Sequence, residues 1–277
     1  MPLVINTNVA SLRSQDALSG TQSNLQKSFL RLSSGYRINS AADDAAGLAI
    51  SEGLRGKVRS YVVAERNTNN AISMTVVAES GLGQISAIVI RMRELAVQSA
   101  NGDLTSTDRS YLDTEFQLLK DEIDRLANST EFNGNVLLGG TATSIDFQVG
   151  IGTTSNDVIS LEFGGVTSSA LGLSGVNVGG STGAIAFSAI DAVDAALQNV
   201  STVRARYGAA TNRLQVAVTN TQVIRTNMAA ANSAIRDVDV AEETAQLARS
   251  QVLLQAGASV LSQANQAPQL ALQLLGR

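Results

Sequence analysis

The hydrophobic positions of this chain fall into long runs spaced by three and four. Near the start, Leu18, Leu25, Phe29 and Leu32 form one stripe, followed by Ser34-Gly35, where glycine can take a left-handed helix cap. After a connection at Tyr36-Arg37-Ile38-Asn39-Ser40, a segment from about residue 42 to 100 sets Ala64, Thr68, Ala71, Thr75, Ala78, Leu82, Ile85, Val89, Met92, Ala96 and Ser99 on one line. That alternation is a coiled-coil seam, with small residues early and larger ones late. A continuous helix of this span would be about 85 Å long. Asn101-Gly102-Asp103 then reads as a turn, and a shorter helix with Leu112, Phe116, Leu119, Ile123 and Leu126 on one face ends near Asn128.

Between Glu131 and about Gly183 the period changes to two. Ile145–Val149 and Val158–Phe163 are strand candidates, and the turn chemistry of residues 150–157 between them predicts a β-hairpin. Glycine crowds into residues 134–183, and residues 164–183 read as loop. A fourth helical segment, from about Ala184 to Ile235, alternates spacings of three and four through Val193, Ala196, Val200, Val203, Tyr207, Ala210, Leu214, Ala217, Thr221, Ile224, Met228, Ala231 and Ile235. Beyond Asp237-Val238-Asp239, Val240, Leu247, Leu254 and Leu261 recur every seven residues on a last helix that runs to Pro268 or somewhat past it. The fold class is therefore mainly α: an elongated antiparallel helical rod or coiled coil with a small β-hairpin region in the centre of the chain. Its expected domains are residues 1–41 and 237–277, the two halves of a terminal-helix domain, and residues 42–236, a rod with the hairpin and the Gly-rich stretch 134–183.

Composition sharpens this picture. Only Pro2 and Pro268 occur in 277 residues, where average usage would give about a dozen, so nothing interrupts a helix between them. Hydrophobic residues make up 44% of the chain but aromatics only 4%, which suits thin helix-on-helix layers of Leu, Ile, Val and Ala. The absence of Cys and His excludes disulfides, thiolate or imidazole metal sites, and any scheme with a His base. A net charge of −4 gives no cationic excess for nucleic acid or an anionic membrane surface. The opening residues show neither the basic start nor the apolar run of a secretory signal, and no stretch approaches the roughly 18 apolar residues of a membrane span.

The terminal helices carry more apolar surface than a pair can cover. Val252, Leu253, Leu254, Val260 and Leu261 point in several directions, while Ala245, Ala248, Ala256, Gly257 and Ala258 permit close packing. Helices of this kind are either marginal alone or buried by other chains. Burial by further copies of the same chain is the expectation, with Leu18, Leu25, Phe29, Leu32, Leu247, Leu254 and Leu261 as the assembly residues.

The residues also carry a family resemblance. Ile5-Asn6-Thr7-Asn8-Val9-Ala10-Ser11-Leu12, the run from Leu32-Ser33-Ser34-Gly35-Tyr36-Arg37-Ile38-Asn39 through Ala42-Asp43-Asp44-Ala45-Ala46-Gly47-Leu48-Ala49-Ile50, Arg91-Met92-Arg93-Glu94-Leu95-Ala96-Val97-Gln98-Ser99-Ala100-Asn101-Gly102, and the stretch from Ala229 to Leu275 resemble bacterial flagellin. The resemblance covers roughly residues 1–140 and 185–277. It implies a secreted, extracellular subunit of the motility filament, with the terminal helices forming an inner tube and the rod an outer one. It implies export through the flagellar type III apparatus, an export chaperone on the C-terminal helix (about Val240 to Leu275), and contacts with filament cap and hook-junction proteins. With only about 50 residues between the two halves of the rod, this would be a short form without large outer domains. In flagellins the positions matching Arg91, Leu95 and Glu115 contact the vertebrate Toll-like receptor that senses flagellin and take part in subunit stacking. Ile90 departs from the Gln of many receptor-active flagellins. By spacing alone, Arg91 and Leu95 share a helical face and Glu115 lies on the neighbouring helix, which is equally the pattern of rod packing plus a salt bridge.

Other candidates reduce to structure. Asp43-Asp44, Asp121-Glu122-Asp124 and Glu242-Glu243 are carboxylate groups without the geometry of an acid/base or metal pair, since adjacent residues on a helix diverge by about 100°. Asp103 to Glu115 lacks the central Gly of a calcium loop, and Gly81-Leu82-Gly83 and Gly150-Ile151-Gly152 lack the strand-to-helix context of a nucleotide fingerprint. No cofactor and no enzyme activity are implied. Thr153, Thr154, Ser155, Thr167, Ser168 and Ser169 could accept O-linked sugars, as in some flagellins. A hook–filament junction protein shares the same rod plan, and a signalling coiled coil would show comparable heptads but would need a membrane segment or sensor domain that this sequence does not show.

Overall fold

The computed structural model describes residues 7–275, with side chains as far as residue 266. The Ile5-Asn6 opening of the first motif lies outside the described residues, as do the side chains of residues 267–275 at the end of the expected chaperone segment. The helices are α1 (Val9–Ser34), α2 (Ala45–Ser99), α3 (Ser106–Ser129), α4 (Ala184–Arg236) and α5 (Val240–Leu275). The strands are β1 (Glu131–Phe132), β2 (Asn135–Val136), β3 (Thr143–Gln148) and β4 (Val158–Phe163). Two compact units emerge: the described residues up to Val58 with those from Asn227 on, and Arg59–Thr226. Their boundaries fall inside α2 and α4, away from the helix breaks near residues 35–44 and 237–239.

In the first unit, α1 and α5 pack antiparallel. Asn8 caps α1 by accepting the Ser11 N–H (3.1 Å) and donates to the Ala264 carbonyl (2.8 Å); Ser11 Oγ lies 2.8 Å from Asn265 Oδ1. At the other end Arg31 pairs with Glu243 at 3.4 Å. Helix α1 stops where Gly35 turns left-handed (φ 74°), its N–H closing on the Arg31 carbonyl. The elbow that follows is built from backbone bonds. Tyr36 bridges Asp237, Arg37 N–H donates to the Arg236 carbonyl (2.7 Å), and Val238 N–H donates to the Gly35 carbonyl (3.0 Å). The Arg236 guanidinium lies 4.6 Å above the Tyr36 ring and also bonds Glu52. Asp44 caps α2 through the Gly47 N–H, and Asp239 caps α5 through the N–H groups of Ala241 and Glu242.

Two carboxylates make this elbow sensitive to acid. Hydrogen bonds from the Ser40 N–H and hydroxyl hold Asp43 below its ordinary pKa, and the bond from Arg236 does the same for Glu52. Because both values are depressed on folding, the stability they add is complete above about pH 5 and is lost as pH falls through the ordinary carboxylate range and below. Amide exchange at Val238 is therefore expected to lose protection, relative to its intrinsic rate, between about pH 5 and pH 3. Asp43→Asn should flatten that dependence; an unchanged profile in the variant would remove Asp43 from the explanation.

In the second unit, α2 and α4 pair antiparallel, and every seam position named for α2, from Ala64 through Ser99, is buried. On α4, Val193, Ala196, Val200, Tyr207, Leu214 and Thr221 are buried, while Val203, Ala210, Ala217 and Ile224 are half-buried. Ion pairs flank the seam in this register: Glu65 with Arg225 (3.7 Å), Glu79 with Arg204 (2.7 Å) and Arg93 with Asp194 (2.5 Å). Helix α3 starts at a capping box formed by Thr105 and Asp108 and buries Phe116, Ile123 and Ala127. Strands β3 and β4 pair antiparallel, Ile145 opposite Leu161, with Ile159, Leu161 and Phe163 turned into the core. A second, smaller hairpin joins β1 and β2 across Asn133-Gly134, both at positive φ (50° and 79°). Residues 164–183 carry no regular element yet bury Val166, Leu171, Leu173 and Val178. They are tied to α3 by Asp124 with Ser168 and by Asp113 with the Val178 N–H.

Helix α2 also contains an 18-residue window with mean hydropathy 1.4, long and apolar enough by composition to cross a membrane. The sequence expectation missed it because the window mixes seam residues with outward-facing valines such as Val76 (55% exposed), and a third of it (33%) is buried here. Helix α5 continues through Pro268 to Leu275.

Candidate assembly and contact surfaces

The α1–α5 pair has an inner seam and an uncovered outer surface. The buried or half-buried positions along the inner line of α1 are Ser11, Ser14, Leu18, Thr21, Leu25, Ser28 and Leu32; those of α5 are Glu243, Leu247, Ser250, Leu254, Gly257, Leu261 and Ala264. Both sets alternate by three and four, so six of the seven expected assembly residues lie on the seam within one chain. Phe29 does not: it is 52% exposed, one position past the seam residue Ser28. Spacing put Phe29 on the inner stripe because the seam of α1 alternates leucine with hydroxyl residues, which a purely apolar count skips; its exposure leaves it open to a contact outside the pair. The same oversight hid Val9, Leu12 and Leu30, which are also exposed. On α5, Val252 (64%), Leu253 (53%) and Val260 (53%) face away from the seam. Between the helices runs a shallow groove of about 240 Å³ lined by Ser14, Ala17, Leu253, Ala256, Gly257 and Val260. Single exposed apolar residues are ordinary, but this many on two adjoining helices amount to a surface awaiting a partner.

Arg91, Leu95 and Glu115 do not share one fate. Arg91 donates through Nε (3.0 Å) and Nη2 (2.9 Å) to Glu115 Oε1, and through Nη1 to Glu94 (2.9 Å). The bonds to Glu94 first and to Glu115 next raise the guanidinium pKa and keep the group charged. Arg91, Glu94 and Glu115 remain open to solvent, so the network links α2 to α3 at modest energetic value. Leu95 is fully buried in the core and reaches no partner surface in this conformation. Ile90, by contrast, is 47% exposed beside Arg91.

The candidate sugar acceptors also divide. Ser155 is exposed, and the exposed Thr154 donates its hydroxyl to Asp157 (2.6 Å) in a cap of the hairpin loop. Thr167 is half-buried and accepts the Ala170 N–H. Ser168 departs from expectation: it is 7% exposed, and its hydroxyl is engaged by Asp124 at 2.6 Å, leaving no room for a sugar. The carboxylate clusters have structural tasks: Asp43 and Asp44 organise the elbow, Glu122 pairs with Arg125, and Glu243 with Arg31. Among the described residues, no group of three carboxylates is placed to hold a metal ion.

Comparison with known proteins agrees with this architecture. Residues 5–143 match the bacterial flagellin N-terminal helical region and residues 190–275 the bacterial flagellin C-terminal helical region. A flagellin of Halalkalibacterium halodurans is 41% identical, covering 99% of this chain and 100% of the relative. A flagellin of Bacillus subtilis is 40% identical over 98% of this chain and 99% of its own. The flagellar filament 33 kDa core protein of Treponema phagedenis is 39% identical over 99% and 100%. The stretch between the two matched regions is the hairpin and the pinned loop, with no room for a further domain. The chain belongs to the bacterial flagellin family, in its short form, a structural subunit of the flagellar filament and not an enzyme.

Proposed function

We propose that the uncovered outer surface of α1 and α5 is the contact through which identical copies of this chain stack into the filament outside the cell. The observation that carries the reading is the exposure of Phe29, Leu30, Val252, Leu253 and Val260 on a helix pair whose own seam is already filled. A contact that joins unlike faces of identical subunits does not close on itself and propagates as a helical polymer. Val252→Asp combined with Leu253→Asp tests it. Both positions are off the seam, so monomer stability should stay within about 0.5 kcal/mol, while extension from filament seeds, followed by electron microscopy, should stop. Filaments of normal length from this variant would contradict the assignment.

The finer partners rest on family membership and on these surfaces. The C-terminal helix presents its uncovered apolar positions to an export chaperone before assembly, and type III export delivers the chain to the growing end, where cap and hook-junction proteins meet the same terminal helices. The exposed Arg91–Glu115 network, with Ile90 beside it, is the contact offered to a vertebrate Toll-like receptor, and Leu95 acts beneath it by holding α2 in place. In a receptor reporter assay, Arg91→Ala should lower the response to monomer by about tenfold. A monomer that elicits no response before mutation would remove this reading. Ser155 and Thr154 are exposed sugar acceptors on the hairpin.

A further inference from the structure

The sequence contains two Asn-Gly dipeptides, Asn101-Gly102 and Asn133-Gly134, and the fold places them in opposite chemical situations. We propose that Asn101 is a site of spontaneous deamidation through a cyclic imide, promoted by the buried Arg109, and that Asn133 is protected. In this reaction the Gly102 amide N–H loses its proton to hydroxide, and the nitrogen attacks Asn101 Cγ. The new C–N bond closes a five-membered imide as the Cγ–Nδ2 bond breaks and ammonia leaves. Water then opens the ring at either carbonyl, giving aspartate or its β-linked isomer. The sum is asparagine plus water to carboxylate plus ammonium, with no change of oxidation state.

Two features leave Asn101 open to the step, as they do Asn133, and a third belongs to Asn101 alone. Its side chain is exposed, and Gly102 has open space where a Cβ would stand, so nothing crowds the approach. The Gly102 N–H donates to no group among the described residues. Most telling is Arg109, which is 3% exposed, pairs with no carboxylate among the described residues, and donates through Nη2 to the Asn101 carbonyl oxygen at 2.8 Å. That oxygen belongs to the peptide group that must lose its proton. The negative charge of the deprotonated amide is shared with it, and a guanidinium held in place by its own burial stabilises that charge.

At Asn133 the geometry opposes the same step. Asn133 and Gly134 form the two-residue turn between β1 and β2 with φ at 50° and 79°, and Phe132 pairs with Asn135 across it. The left-handed turn holds the side-chain carbon away from the next nitrogen, and reaching an attack geometry means undoing the hairpin. A penalty of that kind multiplies directly into the rate.

The test uses the intact monomer incubated at mildly alkaline pH, with peptide mapping by mass spectrometry to follow the small mass gain of amide-to-acid conversion at each site. Hydroxylamine, which cleaves the imide, provides a second readout as scission after residue 101 or 133. In the folded protein Asn101 should convert about tenfold or more faster than Asn133. In concentrated denaturant the two should converge to within about twofold, since their local sequences are alike in the dipeptide that reacts. Equal rates in the folded protein, or Asn133 ahead, would overturn the proposal. Arg109→Gln, its fold checked by circular dichroism, should slow Asn101 severalfold without moving Asn133. A rate at Asn101 that is unchanged or raised in a folded variant would remove the guanidinium from the proposal. If that variant does not fold, the folded-against-denatured comparison of the unaltered protein still decides the site.

Discussion

Ending the chain at Asp239 abolishes polymerisation on filament seeds while leaving most of the helical circular-dichroism signal in place. This is the expected result because the unit Arg59–Thr226 holds its own core, with Leu82, Ile85, Val89, Phe116, Val193 and Leu214 fully buried and no contribution from α5. What the truncation removes is every exposed apolar residue of α5 and the seam partner of α1. A 26-residue helix facing water along its seam is marginal on its own, so α1 should fray as well. The elbow bonds of Arg37 and Val238 survive, since their partners Arg236 and Gly35 remain. The signal to follow is seeded growth by electron microscopy beside far-ultraviolet circular dichroism. Normal filaments from the shortened chain would place assembly elsewhere than the terminal helices.

Arg109→Met is expected to cost the second unit about 3 kcal/mol, a fall of about 10 °C in its unfolding midpoint. The guanidinium is buried and divides its donors among three carbonyls: Ser99 at 2.9 Å, Asn101 at 2.8 Å and Ser181 at 3.4 Å. Ser99 ends α2, where the helix dipole favours a cation, and Ser181 belongs to the segment leading into α4. One side chain thus joins the end of α2, the following turn and the approach to α4. Methionine approaches its length but leaves the buried Ser99 carbonyl and the part-buried carbonyls of Asn101 and Ser181 without this donor, which costs more than the lost attraction alone. Thermal unfolding of variant and parent compares the two directly; a midpoint unchanged within a degree or two would show that water replaces the guanidinium freely.

Much of this architecture could be read from residue spacing, because a seam imposes a period that nothing else in the chain mimics. All the named positions of α2 are buried, and the hairpin of β3 and β4 follows from alternation around a Gly-rich turn. What spacing does not show has several causes. Hydroxyl side chains occupy seam places: Ser11, Thr21 and Ser28 sit where a hydrophobic scan expects leucine, which draws Phe29 onto the wrong face. The β1–β2 hairpin is marked by Asn133-Gly134 but has strands of two residues, too short for any alternation to show. Residues 164–183 read as loop and carry no regular element, but spacing does not reveal how firmly they are pinned, because their anchors, Asp113, Asp124 and Lys120, come from another helix. Leu95 and Arg91 are four residues apart on one helix, and spacing alone does not say that the wider face turns one inward and the other out. Arg109 leaves no signal, since a buried arginine with carbonyl partners has no sequence pattern.

The packing of Leu18 on Gly257 has a corollary for alignment. A Cβ at position 257 would come within 2.5 Å of Leu18 Cδ1, so the leucine occupies a notch that only glycine leaves open. Slide one helix along the other by seven residues and the bulky group meets Ser250 or Ala264 on that line, both of which carry a Cβ and offer no such notch. The in-register docking of the two ends is thus the one that leaves the leucine tip undisplaced, a bias toward one alignment over its near misses.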